Sequence, residues 1–321
     1  MGNIDVLDEG RPSQENKKEH DGNQGTFNIG KMEPGTSFMK EGWFYDVWDG
    51  QAYCHQIENV LFRKTTKYQE VLIFESKSSG KLLVLDGDVQ CAEKDEFGYQ
   101  EMIAHVPVAC HPNPKNVLIV GGGDGGVIRE LDKHSDIETI TLCEIDEEVI
   151  SACKEFMPSM AVGFSCKRLK LHIGDGFEFV KERRQAFDII INDIPDRTPC
   201  NDLTDSIYSK DYYELVKAAL KPNGIFMSQQ PSVWGNLECA RSVMEMSGDY
   251  FSVVDYNMCM IPSFPDMQGF VMCSLNQNTN FREPLRSLDG LDLKYYNSAV
   301  HRASFAVPEF ARKKLQKVYK L

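Results

Sequence analysis

Short apolar runs separated by amphipathic segments fill the middle of the chain, from residue 117 to about residue 247. Five of these runs predict strands: VLIV, TITLCEI, LKLHI, FDIIIND and GIFMSQ. Most of the segments between them have the apolar spacing of helices. Strands that alternate with helices form a parallel sheet with helices on both faces. The later runs VVDYNMCMI and GFVMCSL are predicted to close one edge of this sheet.

The pattern before residue 106 is different. Residues 1–36 are rich in Gly, Asn, Lys and Glu and poor in apolar side chains, so we predict a disordered tail. Alternating runs in residues 37–105 predict a small antiparallel β domain, with a hairpin turn at SSG before KLLVLDGDVQCA. The run EFGYQEMIAHVPVAC is predicted to be helical as far as Pro107. Residues 106–321 are then predicted to form a doubly wound, Rossmann-like α/β domain, which ends in a helix at PEFARKKLQKVY.

Composition limits the kinds of molecule that the protein can bind and indicates its cellular compartment. The 321 residues carry a net charge of −13, which repels nucleic acid and anionic membranes and attracts cations. Ten cysteines lack any C-x-x-C spacing, and this favours a reduced, cytoplasmic protein without a structural metal. No apolar run approaches the roughly 18 residues of a membrane span.

A glycine-rich loop, VLIVGGGDGGVIRE, follows the first strand of the predicted parallel sheet. Such a loop often holds phosphate, because glycines such as Gly121 and Gly123 let the backbone approach a ligand at a helix N-terminus. Here Asp124 lies inside the loop, where a carboxylate would repel a pyrophosphate. The loop is therefore predicted to face a cation.

Further polar residues stand at the ends of the following strands, where ligands of doubly wound sheets bind. Glu144 follows the second strand and is suited to both hydroxyls of a ribose, although it could merely end the strand. Asp175 and Gly176 follow the third and are suited to an adenine amino group or to a simple turn. The fourth and fifth strands add three more polar residues: Asp193, Asp196 and Gln229. Because no histidine joins these acids and metal sites of this kind usually bind phosphates, an adenosyl sulfonium is favoured over a metal.

These residues lie in motifs that resemble the spermidine synthase (aminopropyltransferase) family: LLVLDGDVQCAEKDEFGYQEMIAHVP, VLIVGGGDGGVIRE, CEIDEEVI, IGDG and LKYYNSAVHRASFAVPEF. The resemblance implies transfer of an aminopropyl group from decarboxylated S-adenosylmethionine to putrescine or a related amine, with no permanently bound cofactor and with a homodimer or homotetramer. It also assigns roles. Tyr99 and Asp193 would orient the amine and remove its proton, and Asp196 and Gln229 would line the acceptor pocket. The donor would be held by the glycine loop and by Gln69, Asp124, Glu144, Asp175 and Gly176.

The acceptor side departs from the family at three places. Arg197 follows Asp196 in a loop that reads DIPDRTPCNDLTD, Pro231 replaces an acid in QQPS, and Phe264 replaces a tyrosine in IPSFP. These changes predict a weaker attraction for the far ammonium of the acceptor if Arg197 points inward, and a smaller effect if it faces water. A changed acceptor is the favoured interpretation.

Two other functions remain open at this point. One is an S-adenosylmethionine-dependent amine N-methyltransferase on the same scaffold, as in the plant putrescine N-methyltransferases, whose glycine loop lacks the acid. Asp124 in this chain favours aminopropyl transfer. The other is an inactive paralogue, which the presence of Tyr99, Asp124 and Asp193 disfavours.

Overall fold

The computed structural model describes residues 37–48, 51–195, 206–264 and 266–320. The predicted disordered tail, 1–36, and two predicted acceptor residues, Asp196 and Arg197, lie outside the described residues.

The first sheet is an antiparallel meander in which each strand pairs with the next. Its strands are β1 (Phe38–Lys40), β2 (Trp43–Trp48), β3 (Gln51–Thr65), β4 (Glu70–Ser76), β5 (Gly80–Leu85) and β6 (Asp88–Ala92). The predicted antiparallel β region is therefore confirmed. Its last run, KLLVLDGDVQCA, is not one strand but two, because Asp86 and Gly87 turn the chain with φ values of 49° and 92°. Two consecutive residues with positive φ form the tight hairpin turn for which Asp-Gly is a strong signal.

Helix α1 (Glu96–Cys110) connects the two sheets. The prediction that it ends at Pro107 is wrong, since the helix continues through Pro107 to Cys110. A proline costs about 3 kcal/mol inside a helix because it removes one hydrogen bond. The side chains of Val106 and Val108 are fully buried, and burying such side chains contributes about 1.5–3 kcal/mol each. Packing of the last turn therefore outweighs the missing bond.

The second sheet has seven strands in the order β12-β13-β11-β10-β7-β8-β9. They are β7 (Asn116–Gly121), β8 (Thr139–Glu144), β9 (Leu169–Ile173), β10 (Phe187–Asp193), β11 (Leu220–Gln230), β12 (Val253–Met260) and β13 (Met267–Ser274). Strands β7 to β11 pair in parallel, and β13 joins β11 and β12 in antiparallel pairs. The predicted Rossmann-like fold is confirmed, with β12 and β13 closing one edge.

Helices cover both faces of this sheet. After α1 they are α2 (Gly126–Asp132), α3 (Glu147–Phe156), α4 (Pro158–Ala161), a 3-10 turn (Val162–Ser165), α5 (Gly176–Lys181), α6 (Lys210–Ala219), α7 (Val233–Ser247), α8 (Ser298–Ser304) and α9 (Glu309–Leu315). Along β10, Ile189 and Ile191 pack in the core that includes α1 and α2, whereas Ile190 packs in the core that includes α6 and α7. This alternation explains why the strands read as continuous apolar runs. None of the helices in the described part of the chain is both long and apolar enough to cross a membrane.

Candidate active site

The glycine loop brings the ends of β7 and β10 into contact. Gly121 and Gly122 have φ values of 83° and 76°, which side chains rarely allow. A Cβ atom on Gly121 would lie 2.1 Å from the carbonyl oxygen of Asp193. That same oxygen accepts the backbone N–H of Gly122 at 3.0 Å. Glycine is therefore required where the loop passes the end of β10.

Two other predicted glycines also make room for close packing. A Cβ atom on Gly123 would lie 3.1 Å from Oε2 of Glu144, and one on Gly176 would lie 2.3 Å from Cγ1 of Val120. Side chains at these positions would occupy the space between the strand ends. The two glycines thus allow the strand ends and the loops after them to pack closely.

Asp124 is held at the start of α2 by two hydrogen bonds. Its Oδ1 accepts the backbone N–H of Gly126 at 2.6 Å, and its Oδ2 accepts Nε2 of Gln100 at 3.1 Å. Loss of solvent raises the pKa of Asp124, although both hydrogen bonds and the charge of Arg129 oppose the rise. Sequence reasoning missed Gln100, which lies next to Tyr99 in the same motif.

Glu144 stands at the end of β8 and is almost fully buried. Its Oε1 accepts the backbone N–H of Asp146 at 2.8 Å. Burial raises the pKa of Glu144 to about 7, and the charges of Asp146 and Asp124 add to this rise while hydrogen bonds oppose it. A buried carboxylate beside the glycine loop is suited to hydrogen-bond donors from a ligand.

Gln69 reaches this region from the first sheet. Its Nε2 donates to Oδ2 of Asp146 at 3.1 Å, and the hydroxyl of Thr66 donates to the same oxygen at 2.7 Å. Asp146 also caps α3 by accepting the backbone N–H of Glu148 at 3.1 Å. The β3–β4 turn is therefore fixed against Asp146, the same residue whose backbone N–H donates to Glu144.

Asp175 is exposed and caps helix α5. Its Oδ1 accepts the backbone N–H groups of Phe177 at 2.7 Å and Glu178 at 3.2 Å. Asp175 therefore has a local structural role as the N-cap of α5. Oδ1 makes both capping bonds, so the cap engages one of the two carboxylate oxygens.

Tyr99 contacts two residues that are distant in sequence: Asp193, 94 residues later, and Gln229, 130 residues later. The hydroxyl of Tyr99, on α1, lies 2.5 Å from Oδ1 of Asp193 and 2.6 Å from Oε1 of Gln229. A phenol has one proton and cannot donate to both oxygens. Either Asp193 is protonated and donates to Tyr99, or the Gln229 amide is turned so that its nitrogen donates.

Burial is the main cause of a raised pKa at Asp193, and the charges of Asp124 and Glu144 raise it further, while the Tyr99 hydrogen bond opposes the shift. Among the described residues, none makes a hydrogen bond to its buried Oδ2. This oxygen faces Gly122 of the glycine loop, where a Cβ atom would lie 2.9 Å from it. Asp193 therefore presents one oxygen to Tyr99 and the other to the glycine loop.

The predicted acceptor residues occupy the loops beside β11. Phe264 is half-buried against the core, and its backbone N–H donates to Ile261 at 3.0 Å. The carbonyl of Pro231 accepts the hydroxyl of Tyr256 at 2.9 Å. In the part of the chain that the structure covers, no group of three or more His, Cys, Asp or Glu residues is arranged to hold a metal.

A buried ionic network braces α1 against α2, and sequence reasoning missed it. The guanidinium of Arg129 makes two bonds to Glu96, at 2.8 and 2.9 Å, and one to Glu130 at 2.8 Å. Glu130 in turn contacts Nε2 of His105 at 3.0 Å. Charged residues on a predicted helix usually face water, so the sequence held little signal for this network. It fixes the helix that carries Tyr99 relative to the glycine loop.

Arg129→Met is expected to lower the free energy of unfolding by about 3–5 kcal/mol, because it removes the cation that pairs with the buried carboxylate of Glu96. Glu130 also loses this bond, although it keeps its contacts with Lys133 and His105. Denaturant unfolding followed by circular dichroism measures this loss. The matched control is Arg241→Met, which removes exposed ion pairs with Glu238 and Glu245 and should leave the midpoint unchanged. Equal midpoints for the two variants would contradict the bracing role.

Comparison with known families covers both sheets. A model described as a spermine/spermidine synthase domain matches residues 96–283, which is more than half of the chain. A model described as a spermidine synthase tetramerisation domain matches residues 42–93.

Individual relatives match over most of their length. The chain is 44% identical to the spermidine synthase of Dictyostelium discoideum over 86% of this chain and 98% of the relative. It is 42% identical to the spermidine synthase of Schizosaccharomyces pombe over 85% and 94%. It is also 42% identical to the spermine synthase of Arabidopsis thaliana over 84% and 77%. The crystal structure of spermidine synthase from Thermotoga maritima superposes with a TM-score of 0.79 at 29% identity, covering 89% of this chain and 99% of that one.

A spermidine synthase solved with the transition-state analogue AdoDATO superposes equally well, with a TM-score of 0.79. The comparison of folds and the comparison of sequences thus identify the same family. The chain belongs to the spermidine synthase family and is a transferase of the aminopropyltransferase type.

Proposed function

We propose that the protein transfers an aminopropyl group from decarboxylated S-adenosylmethionine to putrescine or a related diamine, with Asp193 as the proton acceptor. One observation carries the proposal: Asp124, Glu144 and Asp193 surround one glycine loop, and desolvation raises the pKa of each. Acids held this way repel one another until a cation enters. The donor brings a sulfonium and an ammonium, and the acceptor brings two ammonium groups.

On the donor side, the carboxylate of Glu144 receives the ribose hydroxyls, and Asp124 faces the cationic end of the donor. Gln69 supports this side through Asp146, whose backbone N–H orients Glu144. Asp175 and Gly176 line the adenine end, where Asp175 retains an oxygen outside its helix cap. The donor is a co-substrate that is consumed, and the proposal includes no resident cofactor.

The reaction requires a neutral amine, since a protonated amine has no lone pair. Asp193 takes one proton from the acceptor, and Tyr99 holds the carboxylate in place. The freed lone pair then attacks the carbon next to sulfur. A carbon–nitrogen bond forms, the carbon–sulfur bond breaks, and its electron pair returns to sulfur, which leaves as neutral methylthioadenosine. A base whose pKa lies nearer neutrality than that of an ordinary aspartate is suited to this transfer at physiological pH.

The methyltransferase alternative is not favoured. S-adenosylmethionine carries a carboxylate that its decarboxylated form lacks. The acids at Asp124, Glu144 and Asp193 would repel that group in a site with little solvent. The relatives described above are spermidine and spermine synthases.

We further propose that the protein is a homodimer or homotetramer assembled through its first sheet. Residues 42–93 match a tetramerisation domain, and strands β2 and β3 expose Trp43, Tyr53 and Val60. Exposed apolar side chains on a sheet can mark an interface. Light scattering on the purified protein distinguishes the two assemblies from a monomer.

Mass spectrometry tests the proposed reaction. The protein is incubated with a panel of amines and, separately, with S-adenosylmethionine or its decarboxylated form. An aminopropyl gain on a diamine with release of methylthioadenosine is the expected result. A methyl gain with S-adenosylhomocysteine would overturn the proposed donor.

Restoring the family residues at the acceptor side is expected to improve the use of putrescine. Pro231→Glu adds a negative charge, and Phe264→Tyr adds a hydroxyl near the reacting amine. The double variant is expected to raise kcat/KM for putrescine severalfold, with the KM of the donor unchanged. Unaltered kinetics for putrescine would remove the support for a changed acceptor.

A further inference from the structure

The chain leaves β12 through a turn at residues 261–264, which read IPSF. The backbone N–H of Phe264 donates to the carbonyl of Ile261 at 3.0 Å, and this bond closes a four-residue β-turn. Pro262 occupies the second position of the turn, where proline is favoured. The closing bond uses only the first carbonyl and the last N–H, so the polar groups of Pro262 and Ser263 need partners outside the turn.

Asp95 supplies the partners of Ser263 from a distant part of the chain. Its Oδ2 accepts the backbone N–H of Ser263 at 2.7 Å, and its Oδ1 accepts the hydroxyl of the same residue at 2.6 Å. The two residues are 168 positions apart, and both are buried, with exposed fractions of 6% and 5%. Groups that are shielded from water in this way depend on each other, because loss of one leaves the other unsatisfied.

The place of Asp95 in the fold makes these two bonds unusual. Asp95 stands at the N-cap position of α1, where an aspartate side chain normally accepts an N–H of the first helical turn. Its carboxylate makes no such bond, whereas Asp146 and Asp175 cap α3 and α5 in the usual way. The carboxylate of Asp95 thus stabilises the 261–264 turn instead of its own helix.

The same carboxylate relates the turn to Tyr99. Tyr99 follows Asp95 by four residues, which is about one turn of α1 or about 6 Å along the helix axis. Phe264 follows Ser263 directly, and Tyr99 and Phe264 pack against the same hydrophobic core. In the function proposed above, Tyr99 orients the acceptor amine and Phe264 lines its pocket. Asp95 therefore ties together two elements that contribute to the acceptor pocket.

A second contact reaches the turn from the first sheet. The hydroxyl of Tyr53 on β3 donates to the carbonyl of Pro262 at 3.0 Å. Tyr53 is 38% exposed, so water competes for this bond. The two buried bonds to Asp95 are therefore the stronger restraint on the turn.

We propose that Asp95 is a positioning residue for the acceptor: by holding Ser263, it keeps the 261–264 turn in place beside the start of α1. The inference rests on the proposed function for the identity of the acceptor pocket. The role depends on hydrogen-bond geometry and not on negative charge. An asparagine at position 95 can perform it, because the amide oxygen can accept the backbone N–H while the amide nitrogen donates to the hydroxyl oxygen of Ser263.

Steady-state kinetics of aminopropyl transfer to 1,4-diaminobutane test this role. Asp95→Ala is expected to raise the KM of the diamine about tenfold and to change kcat by less than about threefold, because the reacting groups stay in place. The KM of the donor is expected to stay within about twofold of wild type. Asp95→Asn is expected to return the KM of the diamine to within about threefold of wild type. Equal losses in the two variants would assign the effect to the charge of Asp95 and contradict a role by geometry.

Asp188→Ala is the matched control. Asp188 is also 6% exposed, and its Oδ2 accepts the backbone N–H groups of Lys115 and Asn116 at 3.0 and 2.8 Å. It lies near the start of β10, whereas Asp193 ends that strand. Its loss is expected to lower the melting temperature and to leave the KM of the diamine within about twofold of wild type.

Hydrogen exchange followed by mass spectrometry tests the bonds without turnover. Asp95→Ala is expected to speed exchange of the peptide that contains Ser263 about tenfold or more, while β12 exchanges as in the wild type. Unchanged exchange of this peptide, an unchanged KM for the diamine, or the same rise in KM in Asp188→Ala would each overturn this inference alone. Absence of aminopropyl transfer by the wild type would overturn the proposed function and, with it, the acceptor role of Asp95.

Discussion

Asp193→Asn is expected to lower kcat by at least about 100-fold, the usual contribution of a positioned general base. The amide keeps the shape of the side chain and a hydrogen bond to Tyr99, but it cannot take the proton of the acceptor amine. Binding of neutral methylthioadenosine is expected to stay within about twofold of wild type, because the nucleoside contacts are elsewhere. Single-turnover transfer with saturating donor and diamine measures the loss.

Stability provides the control for this variant. The pKa of Asp193 is higher in the folded protein than in the unfolded chain. The protein therefore loses stability as the pH rises from the pKa of the unfolded chain to that of the folded protein. At and above neutral pH the neutral amide avoids that cost. Asp193→Asn is therefore expected to melt at the wild-type temperature or higher. Normal turnover in a folded Asp193→Asn protein would refute its assignment as the base.

Asp124→Asn is expected to weaken binding of the cationic donor about 100-fold. Two unit charges about 6 Å apart at an effective dielectric constant of about 20 interact with about 2.8 kcal/mol, which corresponds to that factor. Methylthioadenosine has no positive charge, so its affinity is expected to change little. Calorimetric titration of both nucleosides measures the difference between donor and product. Equal weakening of the two would show that Asp124 shapes the loop and does not attract the cation.

The raised pKa values also fix the direction of the pH dependence. A cation favours ionised carboxylates, so donor binding is expected to release protons and to tighten as the pH rises through about 7, the pKa of Glu144. Below that pH Glu144 becomes protonated and its part of the attraction is lost. Methylthioadenosine has the ribose hydroxyls but no positive charge, so its binding is expected to show a smaller pH dependence than that of the donor. Titrations in buffers of different ionisation enthalpy count the protons, and an absence of proton release would contradict a cation site built on these acids.

Much of the fold follows from local patterns. The five parallel strands were predicted from apolar runs, because strands covered on both faces have little alternation. The hairpin at Asp86 and Gly87 was missed although Asp-Gly is a strong turn signal, since the apolar residues on its two sides read as one run. The end of α1 was misplaced for a different reason: burial of Val106 and Val108 outweighs the local effect of Pro107.

Some residues of the candidate site were predictable from local sequence, and others were not. Glu144 and Asp193 end their strands, and Asp124 lies in the loop after β7, so the strand-end rule predicted that the three acids lie together. Gln100 contacts Asp124 across 24 residues, and Asp95 contacts Ser263 across 168. A single sequence has no periodic signal for such pairs.

The sequence by itself determined the parallel sheet, the glycine loop and the carboxylates at its edge, because these depend on the order of residues within each strand and the turn after it. Only the tertiary structure decided which oxygens are buried, which proton Tyr99 can share and which turn Asp95 holds. Those properties depend on desolvation and on distances between atoms of different strands and helices. The pKa of a carboxyl such as Asp193 is therefore set by the surfaces that close around it, which no local stretch of the chain contains.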